Sequence, residues 1–220
     1  MKRYLPFVII AVVFCIATVF GVELYQSKNE KPARPGKMAF GKPGADPPHI
    51  QGRPKAPVAL EEFGDFECEP CSKFWPILKQ AQKEYGDRLS VTFREFPLVK
   101  IHPHAMEAAR AAEAAGLQGR FWEMYESLYA DRFIWIGAGD TRAALTLCAS
   151  HLDLDLEKFK KDMDSEEVSK RIAADKERVE SLELTRTPGV FVNGDQVTAA
   201  PITIEILRAA IDAALGEKPK

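Results

Sequence analysis

Apolar positions change their spacing several times along the chain, and each change marks an element. From Leu5 to Val22 (LPFVIIAVVFCIATVFGV) the run is unbroken, eighteen residues without a charge, at the short end of the roughly 17–25 needed to cross a bilayer. From Gln26 to Pro57 large apolar side chains thin out and Pro, Gly and Lys dominate. Such a composition cannot bury enough surface to offset its ordering entropy and reads as a tether. Val58 to Phe63 predicts a short strand. Phe74, Leu78, Ala81 and Tyr85 fall on one stripe, which predicts a helix over Ser72 to Tyr85, stopped by Gly86 and bent at Pro76. Leu89, Val91 and Phe93 alternate, so Arg88 to Phe96 predicts a second strand. A helical pattern then fills Ala105 to Leu184, broken at Gly116–Gly119, at Gly137–Gly139 and near Ser165. Pro188 to Val192 and Gln196 to Thr198 flank Asn193-Gly194, a hairpin signal because a type I′ turn needs positive φ at both central positions. Ile204, Leu207, Ile211 and Leu215 make a closing amphipathic helix.

Strand, helix, strand, helical block, hairpin, helix is the order of an α/β domain. A β-helix-β start favours a right-handed crossover with its strands parallel, and the hairpin adds antiparallel strands. The expectation is a four-stranded mixed sheet, with room for an edge strand from the stretch before Val58, flanked by helices. The predicted organisation is an N-terminal anchor or signal over 1–25, a linker over 26–57, and one domain over 58–215 with a helical insertion at about 104–184. Charge changes this picture little. Thirty basic and 32 acidic residues nearly balance, and without a basic face nucleic acid is not an expected partner.

The first apolar run does matter, because it assigns a compartment. Lys2 and Arg3 precede it and Glu23 follows, so positive-inside bias leaves the N-terminus in the cytoplasm and exports the rest. A cleaved signal peptide leads to the same side; a retained single-pass anchor is the favoured reading. The catalytic domain is therefore expected on the periplasmic or extracellular side of the cytoplasmic membrane, where disulfides persist. Of four cysteines, Cys15 falls in the span and Cys148 on the apolar face of a helix, where a free Cys acts as a small hydrophobe.

Cys68 and Cys71 remain, three apart, after the first strand and at the head of the next helix. A helix N-terminus carries unpaired N–H groups and a partial positive charge, which favours a thiolate there. The spacing lets Cys71 close a disulfide with Cys68, and Pro70 suits a first turn. The expected division of labour is an outward Cys68 that is attacked and a shielded Cys71 that resolves. A metal site would need more ligands, for which His102 and His104 are the candidates; the plainer reading makes them turn and capping residues beside Pro103. His49 is expected to be solvated in the tether, and His151 to meet a helix dipole. Phe121, Trp122, Tyr125, Phe133 and Trp135 either line a substrate surface or, as helical spacing usually means, fill the core. Thr187-Pro188 is either a cis bond or an ordinary strand start.

A series of stretches in order, Pro47–Gly52, Ala56–Val58, Glu62–Cys68, Arg94–Leu98, His102–Ala105, Gln118–Met124 and Thr187–Gly194, resembles the DsbA-like branch of the thioredoxin superfamily. The resemblance implies a thioredoxin fold with an inserted helical domain and an exported thiol-disulfide oxidoreductase that needs no cofactor. It implies Cys68 as nucleophile, Cys71 as resolving cysteine and Pro188 as a cis-proline, with Thr187 and Pro188 contacting substrate. Implied partners are exported proteins bearing thiols or disulfides and a redox partner in the membrane. The chain departs from that branch between the cysteines, where Glu69-Pro70 is similar to exported reductants of the ResA and TlpA type. Glu67, Glu69 and Pro70 are therefore expected to tune the pKa of Cys68, the two carboxylates opposing the helix dipole. Oxidase is the favoured direction; a reductase, or a non-catalytic zinc or copper module, are the alternatives.

Overall fold

The structure, a computed structural model, describes residues 41–217. Leu5–Val22, with Cys15, lies outside those residues. Among the described ones, no helix is long and apolar enough to cross a membrane.

Five strands form one mixed sheet in the order β1-β3-β2-β4-β5. They are β1 (His49–Gln51), β2 (Val58–Gly64), β3 (Leu89–Glu95), β4 (Gly189–Val192) and β5 (Asp195–Gln196). β2 and β3 run parallel, Leu60 opposite Val91; the other neighbours are antiparallel. The edge strand before Val58 is thus real. The hairpin turns where expected, with φ of 49° at Asn193 and 89° at Gly194. Asn193 also accepts the Ala59 N–H and donates to the Pro57 carbonyl, which pins the turn to the start of β2.

Helix α1 (Glu69–Tyr85) connects β2 to β3, starting three residues before the apolar stripe suggested. Glu69 and Pro70 are turned to solvent and leave no mark in that stripe. Its buried side is Cys71, Phe74, Leu78, Ala81 and Tyr85, and the helix continues through Pro76 as one element. The insertion comprises α2 (Ala105–Gly116), α3 (Phe121–Ala130), α4 (Arg132–Ile136), α5 (Thr141–His151), α6 (Leu156–Met163) and α7 (Glu166–Ser181). Asp140, Asp155 and Ser165 cap α5, α6 and α7 by accepting N–H groups of Ala143, Lys158 and Val168, so the breaks in the helical block are chemical stop and start signals. Helix α8 (Ile204–Leu215) closes the fold.

The sheet separates two cores. On one face α1 and α8 bury Phe74, Leu78, Leu207 and Ile211 against Val58, Leu60 and Val91. On the other, the insertion buries Phe93, Met124, Leu128, Trp135 and Phe159 with Phe66, Cys68 and Cys71, which follow β2. Seven buried alanines of α2 keep that helix thin enough to be packed on several sides.

Residues 42–57, expected to be tether, are held to the domain by buried polar contacts. The Arg94 guanidinium donates to Glu61, Asp175 and the Ala45 carbonyl, and Arg178 donates to Glu61 and the Lys42 carbonyl. Asp175 also accepts the N–H groups of Ala45 and Glu95. Gly44, at φ 79°, passes so close that a Cβ would stand 2.8 Å from both Arg94 and Asp175. His49 is likewise not solvated. Its ring stacks on Phe121 with centroids 3.6 Å apart, and its Nε2 lies 2.9 Å from Glu113. Linker composition misled because these partners lie 49 to 136 positions away.

Candidate active site

Cys68 is the N-cap of α1, with extended backbone (φ −71°, ψ 123°). The turn that carries it is fixed by Asp65, whose carbonyl accepts the Cys68 N–H and whose side chain accepts the N–H groups of Glu67 and Leu98. The insertion grips the same turn: Glu67 accepts the His104 N–H through its carboxylate and Arg132 donates to its carbonyl. Across the cleft stands Thr187-Pro188, a cis peptide. The Cys68 thiol donates to the Thr187 carbonyl at 3.7 Å. Both thiols are unbridged. Cys71 is fully buried, and Cys68, expected to face outward, is itself only 4 % exposed.

Electrostatics separates the two sulfurs. The Cys68 pKa is lowered to about 6, foremost by a hydrogen bond from the Cys71 side chain, then by Thr187 and the Cys71 backbone, against burial and the charge of Asp65. Burial, with Cys68 and Glu62 nearby, pushes the Cys71 thiol well up. At neutral pH the thiolate is therefore favoured at Cys68, while Cys71 keeps its proton.

Glu67 and Glu69, expected to oppose that thiolate, are otherwise engaged. Glu69 is exposed and forms an ion pair with Lys73, and the Glu67 carboxylate is taken by His104. The acids that do bear on the cysteines are Asp65 and Glu62, three and six residues before Cys68. Glu62 is fully buried on β2, accepts the Tyr125 hydroxyl at 2.9 Å, and is pushed up to about 8, mainly by burial. The sequence did carry a signal for it: Glu61-Glu62 puts charges on both faces of an otherwise apolar central strand, where neither can reach water.

Other residues singled out in the sequence fall into place. His102 Nδ1 lies 2.8 Å from Asp65 and His104 Nδ1 lies 3.0 Å from Thr141. Among the described residues, no three His, Cys, Asp or Glu side chains group as metal ligands. Phe121, Tyr125 and Trp135 belong to the core and Trp122 is packed against it, whereas Phe133 is 80 % exposed. Cys148 is buried on α5, within the core of the insertion, and its thiol is pushed up by burial. His151 ends α5.

A groove of about 760 Å³ opens beside the site, lined by Pro70, Phe74, Ile77, Pro188, Val197 and Ile202 among others. Lys73, Arg186 and Glu205 stand at it as the charged groups.

Residues 45–213 match the thioredoxin family model. A probable disulfide bond formation protein D of Bacillus anthracis is 29 % identical over 223 residues, covering 96 % of this chain and 98 % of that one. The oxidised BdbD of Bacillus subtilis superposes with a TM-score of 0.67 at 22 % identity, over 82 % of this chain and 99 % of that one. A Na(+)/H(+) antiporter NhaA 1 of Mycolicibacterium gilvum is 40 % identical over 150 residues, 66 % of this chain but only 23 % of the antiporter. This chain thus spans about a quarter of that relative. The sheet order, a Cys-x-x-Cys pair heading α1 and a helical insertion agree with the family match: the chain belongs to the thioredoxin family, with the fold of the BdbD structure.

Proposed function

We propose that this oxidoreductase works as an oxidase of exported proteins, tethered to the cytoplasmic membrane by residues 5–22, with Cys68 as the attacked sulfur and Cys71 as the resolving one. The observation that carries the reading is the stabilised thiolate of Cys68, with a pKa lowered to about 6. A thiolate favoured in the reduced protein makes it a good leaving group and raises the tendency of the disulfide to accept electrons. Glu69, whose place beside Pro70 argued for a reductant, is exposed and ion-paired with Lys73.

A substrate thiolate attacks Cys68 Sγ in the Cys68–Cys71 disulfide. The S–S bond breaks, its electron pair leaves on Cys71, and a mixed disulfide joins the substrate to Cys68. Cys71, buried and with its pKa pushed well up, takes a proton. Glu62, pushed up to about 8 and coupled to the same thiol, holds a proton there at neutral pH. A second substrate thiolate then attacks the substrate sulfur of the mixed disulfide and Cys68 departs as thiolate. The substrate is oxidised by two electrons and the enzyme reduced by two, which a membrane redox partner removes. Thr187 and Pro188 line the cleft where an extended substrate segment pairs with backbone, as in strand addition.

Trapping tests the reading. In Cys71→Ala, which has no internal disulfide, the Cys68 thiolate attacks disulfides of oxidised exported proteins, expelling a substrate thiolate, and should accumulate mixed disulfides that nothing resolves; Cys68→Ala should accumulate none. Absence of any adduct in Cys71→Ala in cells overturns it.

A further inference from the structure

Asp65 and His102 form a buried pair outside the steps described above. Asp65 lies just past β2 and its side chain is fully buried. One carboxylate oxygen accepts the Glu67 N–H, the other accepts the Leu98 N–H, both at 2.8 Å. That second oxygen also lies 2.8 Å from His102 Nδ1. With both oxygens already accepting, Nδ1 is the donor, in the neutral ring as in the charged one. Nε2 is then the site of the second proton, and the ring is 21 % exposed, so protons can reach it. The hydrogen bond survives either state; the charge does not. With Nε2 bare the pair carries one negative charge, and with Nε2 protonated it carries none.

That charge stands beside the reactive sulfur. The Asp65 carbonyl receives the Cys68 N–H at 3.1 Å, and Leu98 and His102 belong to the loop that follows β3. We propose that His102 is a positioning residue for exchange at Cys68: it holds Asp65 through Nδ1 and, by gaining or losing a proton at Nε2, sets the net charge that the Cys68 thiolate meets.

Asp65 opposes the Cys68 thiolate, so a protonated His102 relieves that opposition and favours the thiolate, and acidification makes the site a stronger electron acceptor than a fixed carboxylate would allow. Other ionisable groups face the pair. From β2 and β3 come Glu62 and Glu95, which burial pushes up. From α1 and its turn come Cys68, Cys71 and Glu67, and from the insertion come Tyr129, His104 and Arg132. Arg132 is the fixed cation of this set. Glu67 meets Asp65 only through its backbone N–H, its carboxylate accepting the His104 N–H instead, and His102 is the ionisable side chain that both touches Asp65 and is open to solvent.

The proposal rests on Cys68 being the reactive thiol, and its test separates the two. Coupling between sites is reciprocal, so the His102 imidazole should report the thiolate. Its protonation is followed by NMR against pH in the reduced full-length protein and in Cys68→Ser, which is neutral throughout. The midpoint in the reduced protein should correspond to a proton affinity at least about threefold higher than in Cys68→Ser. Equal midpoints overturn the proposal, whatever the fate of the disulfide. The second arm is His102→Gln, which keeps an N–H for Asp65 and cannot become charged. Its glutathione equilibrium should show a flatter pH dependence on the acid side than the wild type, with the same value at alkaline pH. An unchanged profile overturns the proposal. A pair that never forms a disulfide is seen by mass alone and counts against the functional reading, not against the imidazole coupling.

Discussion

The sulfur of Cys68 and the carbonyl of Thr187 lie 3.7 Å apart, although 119 positions separate them in the sequence. This contact joins the head of α1 to the entry of β4 and makes a cleft of two loops into one site. Its partner on the other side is the Cys71 side chain, whose hydrogen bond does most to lower the Cys68 pKa. Alkylation of the reduced protein by iodoacetamide should therefore rise with pH through a midpoint near 6. In Cys71→Ala, which lacks that donor, the midpoint should move upward. A midpoint unchanged or lower in the variant would remove Cys71 as the stabilising group.

Glu62 gives stability a pH dependence of its own. Its pKa is about 8 when folded and 4.5 by default, so the folded chain binds the proton more tightly. The associated stability is complete below pH 4.5 and is lost as pH climbs through 8. The shift corresponds to on the order of 5 kcal/mol. Chemical denaturation of the disulfide form, where no Cys68 thiolate contributes, should show that decline, and Glu62→Gln should flatten it. A slope equally steep in Glu62→Gln would contradict the assignment.

Buried and exposed ion pairs should differ sharply. Glu61 serves both Arg94 and Arg178 with side chains 5 % exposed or less. Glu61→Ala removes the buried carboxylate that both guanidinium groups share, leaving Arg94 to Asp175 and the Ala45 carbonyl, and should cost about 3–5 kcal/mol. Glu177→Ala removes the Lys42 pair, 60 % exposed on both sides, and should cost less than about 1 kcal/mol. Urea midpoints of the two variants decide this. Because Arg178 and Arg94 also hold the carbonyls of Lys42 and Ala45, Glu61→Ala should in addition make residues 41–45 more open to proteolysis.

Much of the fold was legible because its signals are local. Leu89, Val91 and Phe93 alternate where β3 lies, Asn193-Gly194 turns where the hairpin turns, and the stripe through Phe74 and Tyr85 is the buried side of α1. The cysteine pair was legible for the same reason: spacing and position at a helix start are properties of a few adjacent residues. What was not legible depended on distant partners. His49 looked solvated because Glu113 and Phe121 arrive from the insertion. Glu67 and Glu69 were expected to bear on Cys68 by proximity in sequence, but helix geometry turns Glu69 outward to Lys73 and the insertion claims Glu67. Asp65 and Glu62 do bear on the cysteines, and of the two only Glu62 left a mark in the sequence, as a charge on a central strand.

The most direct test of the oxidase reading is the equilibrium of the Cys68–Cys71 pair with reduced and oxidised glutathione, quantified by alkylation and mass. A stabilised Cys68 thiolate leads to an oxidising couple, with a potential between about −120 and −180 mV. A value near −270 mV, roughly that of thioredoxin, would contradict it and leave the chain a reductant.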